Sequence, residues 1–142
     1  MRIHLHLRTA DLGATTSFYT RLLGQPDKTL PDLVRFQPAG MGLSLTLMEG
    51  TPLPRHPEEH FGLKVADSEA LKALWARIEH TGLKPDRVEE GVSCCAAIQD
   101  KRWFRDPDGR PWEVYTVLDD SITEVKQVAN EGDACCAPSC CA

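Results

Sequence analysis

The chain has 142 residues and a net charge of −5, and 42% of its residues are hydrophobic and 26% charged. This composition is ordinary for a globular protein of one domain or two small fused modules. The acidic balance argues against a nucleic-acid partner. The first residues lack the long apolar core of a signal peptide, and no apolar run approaches the roughly 20 residues that span a membrane. We therefore expect a cytoplasmic protein without a membrane partner.

The first elements along the chain belong to an internal repeat. Residues 4–24 and 60–80 align at a constant offset of 56 residues, with His4 matching His60 and Asp11 matching Asp67. Each copy reads as an alternating strand, an aspartate suited to cap a helix, and an amphipathic helix that glycine and proline terminate. The sequence therefore predicts two copies of one strand–helix unit.

Short strands follow each predicted helix. We expect them at about 33–38 and 42–48 in the first copy, and at about 101–106 and 111–118 in the second. The predicted organisation is a first βαβββ module at 1–49, a linker at 50–59, a second βαβββ module at 60–118 and a cysteine-rich tail at 119–142, which we expect to be disordered. The predicted fold class is α+β, with the two repeated modules forming a metal-binding cleft.

Three side chains at symmetry-related places suggest a metal site. His4 and His60 begin the two repeats, and Glu113 lies between Trp112 and Val114 on the last predicted strand, where an unpaired carboxylate would be costly to bury. Matching the turn Pro38-Ala39-Gly40 to the turn Pro107-Asp108-Gly109 puts Ser44, a poor ligand, opposite Glu113. Two histidines and one carboxylate suit a non-haem Fe(II) oxygenase, while manganese, nickel, cobalt or zinc stay open. His6, on the same strand face as His4, is either a second ligand or a hydrogen-bonding neighbour.

The six cysteines occur as three adjacent pairs. Neighbouring thiols suit a soft, thiophilic centre such as trivalent arsenic, cadmium, zinc or copper(I). One pair precedes the strand of Trp103, in a predicted loop that could close over the cleft, and Lys101 beside it favours thiolates in a substrate site. The tail pairs either scavenge a soft ion or take no part in turnover. The pairs are Cys94 and Cys95, Cys135 and Cys136, and Cys140 and Cys141.

The motifs in residues 2–118 resemble a known superfamily. The strand–Asp–helix repeat, the segment H-x-G-L-x-V that begins at His60 and the segment D-P-x-G-x-x-W-E-x-Y that contains Glu113 are similar to the vicinal oxygen chelate superfamily of glyoxalases, bleomycin-resistance proteins and extradiol dioxygenases. The stretch C-C-A-A-I-Q-D-K-R-W and the paired cysteines of the tail are more specific. They resemble the organoarsenical carbon–arsenic lyases, which include proteins called cadmium-induced.

This resemblance implies an Fe(II)-dependent dioxygenase that acts on trivalent organoarsenicals, such as methylarsenite and reduced aromatic arsenicals, with dioxygen as the second substrate. It implies that His4, His60 and Glu113 bind the metal, and that Cys94 and Cys95 bind arsenic and act in catalysis. The first ligand position in that family is Gln or His. Ala96 departs from the family, in which an aromatic residue often follows the cysteines.

Other functions remain open at this stage. A binding protein would sequester arsenic or cadmium through its cysteine pairs without any catalysis. Another enzyme of the superfamily would be a glyoxalase or an antibiotic-modifying thiol transferase, but Ser44 argues against a four-ligand glyoxalase site. Neither activity gives Cys94 and Cys95 an obvious role. The sequence also leaves open whether the protein is a monomer or a homodimer.

Overall fold

A computed structural model describes residues 1–56 and 58–121. Within these residues, two helices and eight strands alternate as two βαβββ sets, which confirms the predicted fold class. The first set is β1 (Ile3–Thr9), α1 (Leu12–Leu23), β2 (Lys28–Leu30), β3 (Leu33–Phe36) and β4 (Leu43–Glu49). The second is β5 (Phe61–Lys64), α2 (Ser68–His80), β6 (Arg87–Cys94), β7 (Ala97–Arg105) and β8 (Pro111–Asp119). The sequence analysis had given no positions for strands β2 and β6.

The chain divides into two compact units, and the first consists of Met1–Pro54 together with His80–Leu83 and Asp106–Gly109. Its sheet has the order β1-β4-β3-β2, in which β1 pairs in parallel with β4 and the other pairs are antiparallel. Helix α1 begins at the predicted cap, because the Asp11 carboxylate accepts a hydrogen bond from the Ala14 amide. The buried Tyr19 ring packs near Phe36, and its hydroxyl donates to Asp106 Oδ2 over 2.9 Å.

The second unit holds the rest of the described chain, and its sheet repeats the topology of the first, with the order β5-β8-β7-β6. Helix α2 is capped by Asp67, as predicted, and buries Leu71, Trp75 and Ile78. The Trp75 indole N–H donates to the Val114 carbonyl. Trp112 and Val114 are fully buried, so the alternation along β8 gives Glu113 the opposite face of the sheet.

The loop predicted around Cys94 and Cys95 is instead a tight hairpin. Cys94 ends β6 and pairs with Ala97, the first residue of β7. Cys95 and Ala96, the two residues of the turn, both have positive φ angles, 51° and 61°. A two-residue turn with this conformation matches the right-handed twist of the flanking strands, even though it disfavours residues that carry a Cβ. The predicted loop is therefore wrong in form, because β6 and β7 pair up to the cysteines.

The predictions for the tail concern residues that lie largely outside the described ranges. Cys135, Cys136, Cys140 and Cys141 lie outside them, as does the tail beyond Ser121. Across the described ranges, neither helix has the length and apolar character needed to cross a membrane.

Candidate metal and dithiol site

One face of the second sheet collects most of the predicted site residues. Opposed residues of paired strands share a face, so the register places Gly62, Glu113 and Trp103 in one row across β5, β8 and β7. The next row contains Lys64, Tyr115 and Lys101. Gln99 lies two residues before Lys101 on β7, and the hairpin with Cys94 lies before Gln99. Strand β7 thus aligns the site, because Gln99, Lys101 and Trp103 alternate onto the same face.

His60, the residue before β5, faces Glu113 of the first row. His60 Nδ1 lies 3.0 Å from the carbonyl oxygen of Glu58, an acceptor, so Nδ1 carries the hydrogen in that bond. In the neutral ring the lone pair of Nε2 then faces Glu113 Oε1, 3.7 Å away. This separation is too long for a good hydrogen bond. Two metal–ligand bonds of about 2.1 Å can span it, since together they reach about 4.2 Å. The two groups therefore fit a divalent cation between them.

The second carboxylate oxygen of Glu113 is held by a buried lysine. Lys101 is 1% exposed, and its Nζ lies 3.2 Å from Glu113 Oε2. The ammonium group also lies over the Trp103 ring, 5.3 Å from its centroid. This ion pair explains how Glu113 stays buried when no cation is bound, because an unpaired carboxylate there would carry a large desolvation cost. It also leaves Oε1 as the oxygen that faces His60.

Trp103 is a neighbour of His60 that the sequence analysis did not assign to the site. Its ring meets His60 edge to face at a centroid separation of 5.1 Å, and its indole N–H donates to Glu89 Oε2 over 2.8 Å. The Arg87 guanidinium stacks over the same ring. These contacts fix the ring that borders the imidazole. The signal that could have identified it is the spacing of Gln99, Lys101 and Trp103, which places all three on one face of a strand.

Gly62 leaves room for the carboxylate. A Cβ atom at this position would lie 3.0 Å from Glu113 Oε1 and 3.0 Å from Tyr115 Cε1, closer than ordinary van der Waals contact. The glycine of the H-x-G-L-x-V segment therefore leaves these two side chains their positions, because an added Cβ would displace them by a few tenths of an ångström.

The vicinal thiols are close together and unbonded. Cys94 is buried and Cys95 exposed, and their Sγ atoms are 3.3 Å apart, well beyond a disulfide bond. Two bonds of about 2.3 Å, the length of a typical metal–thiolate bond, meeting near a right angle span about 3.3 Å. The pair is therefore set to bind one soft, pyramidal centre through both sulfurs.

Tyr115 lies between the dithiol and the carboxylate. Burial raises the pKa of its phenol, and the charges of Glu113 and Cys95 raise it further, whereas Lys101 opposes them. Both ends of the face therefore act on this one hydroxyl. Trp103 lies six positions after Ala97 on β7, which corresponds to about 20 Å of extended strand. The thiols and the His60–Glu113 pair thus occupy opposite ends of the face.

The other predicted ligands lie on β1 in the first unit. His4 pairs with Ser44 and His6 with Thr46 along the parallel ladder, and both histidines are exposed. In the described chain, no three His, Cys, Asp or Glu side chains form a group that could hold a metal. The assignment of His4 as the third ligand therefore stays a prediction.

The register changes which residue of the first unit corresponds to Glu113. The offset of the repeat matches His6 to Gly62, and these residues pair with Thr46 and Glu113, respectively. Thr46 is therefore the counterpart of Glu113, and the match to Ser44 was wrong by two residues because the turns differ in geometry. A threonine hydroxyl is also a poor metal ligand. The expectation of three protein ligands is unchanged by this correction.

This fold and face define a class of metal-binding α+β proteins built from two βαβββ modules. The chain matches the Glyoxalase/Bleomycin resistance protein/Dioxygenase superfamily over residues 3–114, and it belongs to that family. A solved structure of a glyoxalase/bleomycin resistance protein/dioxygenase from Alicyclobacillus acidocaldarius has the same fold, with a TM-score of 0.64 and 20% identity, covering 87% of this chain and 96% of that one.

Closer relatives in sequence narrow the comparison. The chain is 39% identical to a trivalent organoarsenical cleaving enzyme of Thermomonospora curvata, over 96% of this chain and 89% of the relative. It is 41% identical to the cadmium-induced protein CadI of Mycobacterium tuberculosis, over 86% of this chain and 80% of the relative. The names of these two relatives refer to arsenic and to cadmium, both of which are soft centres that a pair of thiols binds.

Proposed function

We propose that this protein is a cytoplasmic Fe(II)-dependent dioxygenase that cleaves the carbon–arsenic bond of trivalent organoarsenicals and yields arsenite, as a step in arsenic detoxification. The observation that carries the proposal is the pair of thiols, 3.3 Å apart, on the same sheet face as the His60–Glu113 pair. The identity to the organoarsenical cleaving enzyme of Thermomonospora curvata supports the same substrate class, which includes methylarsenite and reduced aromatic arsenicals.

Capture by the dithiol is the first step of the proposed mechanism. Methylarsenite carries one methyl and two hydroxyl groups on arsenic. Each thiol of Cys94 and Cys95 replaces one hydroxyl, so two As–S bonds form, two As–O bonds break and two waters leave. The carbon stays on arsenic. Binding through two adjacent sulfurs fixes the orientation of the remaining As–C bond, which lowers the entropic cost of the later step.

The hairpin must then carry the arsenic toward the metal ligands. The β6–β7 ladder is irregular between Glu89 and Val92, and the β7–β8 ladder shifts between Ile98 and Gln99. Such bulges allow a strand to bend locally. They flank the hairpin on both strands. Bending at these two places would shorten the path between the thiols and Glu113 while leaving the rest of the sheet in register.

The proposed metal ligands are His4, His60 and Glu113. A ferrous ion bound there would supply the activation of dioxygen. Lys101 holds one carboxylate oxygen of Glu113, and Trp103 borders His60, so the chain itself supplies an oriented and partly dehydrated ligand pair. The balance of the overall reaction is one methylarsenite and one dioxygen giving one arsenite and one formaldehyde. Lys101 remains a candidate for substrate contact once the hairpin bends.

Aerobic incubation of the protein with Fe(II) and methylarsenite, followed by arsenic speciation, tests the proposal. We expect arsenite to accumulate with the wild-type chain. Cys95→Ser should abolish turnover and leave iron bound, and full activity of this variant would reject the capture step. Glu113→Ala should lose the iron, and unchanged iron content would reject the ligand assignment. Glu79→Ala, on the α2 side of the sheet where Glu79 pairs with Arg102, is the matched control and should keep both properties.

A second candidate function is sequestration of arsenic or cadmium without catalysis. The similarity to the cadmium-induced protein of Mycobacterium tuberculosis and the three cysteine pairs favour it over the remaining alternatives. The same assay separates the two functions. A binding protein would take up methylarsenite stoichiometrically and return it unchanged on denaturation, whereas the enzyme would release arsenite in excess of its own concentration.

A further inference from the structure

Gln99 is a buried amide beside the dithiol with one acceptor left over. Its side chain is 5% exposed, and its Nε2 donates to the Cys94 carbonyl over 3.2 Å. That carbonyl can only accept, so the NH2 end of the amide must face it and Oε1 must face away. Within the described residues, Oε1 has no hydrogen-bond partner. A buried acceptor in this state is costly unless a bound molecule supplies a donor.

The register places this acceptor on the face of the thiols. Cys94 pairs with Ala97 and Val92 pairs with Gln99 across the β6–β7 hairpin. Residues two apart on one strand, together with their opposed partners, point to the same side of the sheet. Gln99 and Cys94 therefore share a face, and the hydrogen bond to the Cys94 carbonyl fixes the amide next to the hairpin.

We propose that Gln99 Oε1 accepts a hydrogen bond from a hydroxyl group on arsenic bound to Cys94 and Cys95, so that the site prefers arsenite to methylarsenite. The inference rests on the proposed capture of trivalent arsenic by these two thiols. It adds a specificity-determining residue that recognises the third substituent of the bound arsenic.

The chemistry of the two ligands gives the preference its direction. When arsenite binds, two of its three hydroxyl groups leave as water, and one As–OH remains on the dithiol. When methylarsenite binds, both hydroxyl groups leave and a methyl group remains. Only the first complex offers a donor to Oε1. The second keeps the buried acceptor unsatisfied, so Gln99 favours the arsenic species in which oxygen has replaced carbon.

This preference has a consequence for turnover. The same dithiol would hold the product more tightly than the substrate, and arsenite would then act as a competitive inhibitor. Interactions that are stronger after the carbon has been replaced also draw the bound arsenic toward the product state. Release of arsenite would consequently be slower than release of uncleaved methylarsenite.

The test measures the affinities of arsenite and methylarsenite by calorimetry, without iron and without oxygen so that no cleavage occurs. The full chain is used with its four tail cysteines replaced by serine, which confines arsenic to the hairpin. Gln99→Met removes the acceptor and keeps the length of the side chain. We expect arsenite affinity to fall about 3- to 10-fold and methylarsenite affinity to change less than twofold. The replaced residues are Cys135, Cys136, Cys140 and Cys141.

Three comparisons keep the inference falsifiable. Gln37→Met makes the same chemical change in the first unit and should leave both affinities unchanged. An equal loss for both ligands in Gln99→Met would mean that Gln99 only braces the hairpin, and it would overturn the inference, as would no change for either ligand. The wild-type preference, measured relative to that of dithiothreitol, needs no Gln99 variant, and a preference equal to that of the free dithiol would also overturn it.

The outcomes separate this inference from the proposed function. Cys95→Ser should lose tight binding of both arsenicals, and retained binding would contradict the capture step itself. If both arsenicals bind through the dithiol while Gln99→Met leaves their ratio unchanged, the capture step stands and the role of Gln99 is rejected.

Discussion

The carboxylate of Glu113 has two partners, one for each of its oxygen atoms. Lys101 Nζ lies 3.2 Å from Oε2, and His60 Nε2 lies 3.7 Å from Oε1. An ammonium group so close to a metal ligand repels a divalent cation, while it stabilises the buried carboxylate in the metal-free protein. The affinity for metal and the stability of the apoprotein are therefore opposed at this one residue.

Lys101→Met separates these two effects. Loss of the ammonium leaves Glu113 Oε2 buried without its ion-pair partner, and we expect the apoprotein to lose about 3 kcal/mol of stability. We also expect the affinity for Mn(II) to rise about tenfold, since the repulsion is gone. Thermal melts with and without Mn(II) measure both, because metal should restore more of the melting temperature in the variant than in the wild type. A variant with weaker Mn(II) binding would show that Lys101 mainly orients the carboxylate.

Gly62→Ala tests the space that the carboxylate needs. The new Cβ would lie 3.0 Å from Glu113 Oε1, so this oxygen must move away from the position where it faces His60. We expect Mn(II) affinity to fall at least tenfold, measured by calorimetry, while the circular dichroism spectrum stays unchanged.

Gly13→Ala provides a matched control. Gly13 lies in α1, where an added Cβ meets only Asp11 Oδ1 at 3.5 Å. Alanine favours the helix by about 0.5–1 kcal/mol over glycine, so this variant should gain stability and keep its metal affinity. Equal metal affinities in Gly62→Ala and Gly13→Ala would contradict the role given to Gly62.

At the scale of elements, β8 and the helices could be predicted from the sequence, whereas the β6–β7 hairpin could not. The motif that contains Glu113 located β8, and the repeat located α1, α2 and their caps. Each of these elements has a strong local signal, either periodic hydrophobic residues or a capping residue. The β6–β7 hairpin lacks the glycine or asparagine that usually marks such a turn. Pairing between strands, rather than local preference, imposes its geometry, so sequence reasoning interpreted it as a loop.

The hairpin turn therefore holds strain that a substitution can relieve. Ala96 has a φ of 61°, a conformation in which a Cβ costs about 1–2 kcal/mol. Ala96→Gly should stabilise the protein by up to about 1 kcal/mol, after allowance for the greater freedom of glycine in the unfolded chain. Denaturant unfolding measures this. Ala97→Gly, one residue further along in a regular strand, should instead lose stability.

Arsenite affinity provides the second measurement on Ala96→Gly. The substitution leaves both cysteines and their pairing with Ala97 in place, so we expect the affinity of the dithiol to change less than threefold. A large loss of affinity together with a gain in stability would indicate that the strained turn itself holds the sulfur atoms at their separation. In that case the strain would be part of the binding site.

At the scale of the whole molecule, duplication explains why two sheets of the same topology carry different side chains at matched positions. Both sheets have the same strand order and the same parallel pairing of their first and last strands. Glu113 in the second sheet corresponds to Thr46 in the first. The sequence revealed the repeat because matched residues keep a constant offset. It misplaced the match to Glu113, because turn motifs do not report the register between strands.

The tail carries two further cysteine pairs, so the stoichiometry of the whole chain with arsenite is open to measurement. Six cysteines in three adjacent pairs provide three vicinal dithiols, of which the Cys94–Cys95 pair has its sulfur atoms 3.3 Å apart. We expect the reduced full chain to bind three arsenite ions, measured by native mass spectrometry. Replacing the four tail cysteines by serine should lower this number to one, since only the hairpin pair remains.

Cleavage of methylarsenite at saturating concentration should continue in the variant, because His60, Glu113 and the hairpin thiols are unchanged. If the variant binds one arsenite but turns over only at high substrate concentration, the tail delivers arsenic to the hairpin. A wild-type stoichiometry of one would instead show that the tail cysteines do not act as dithiols.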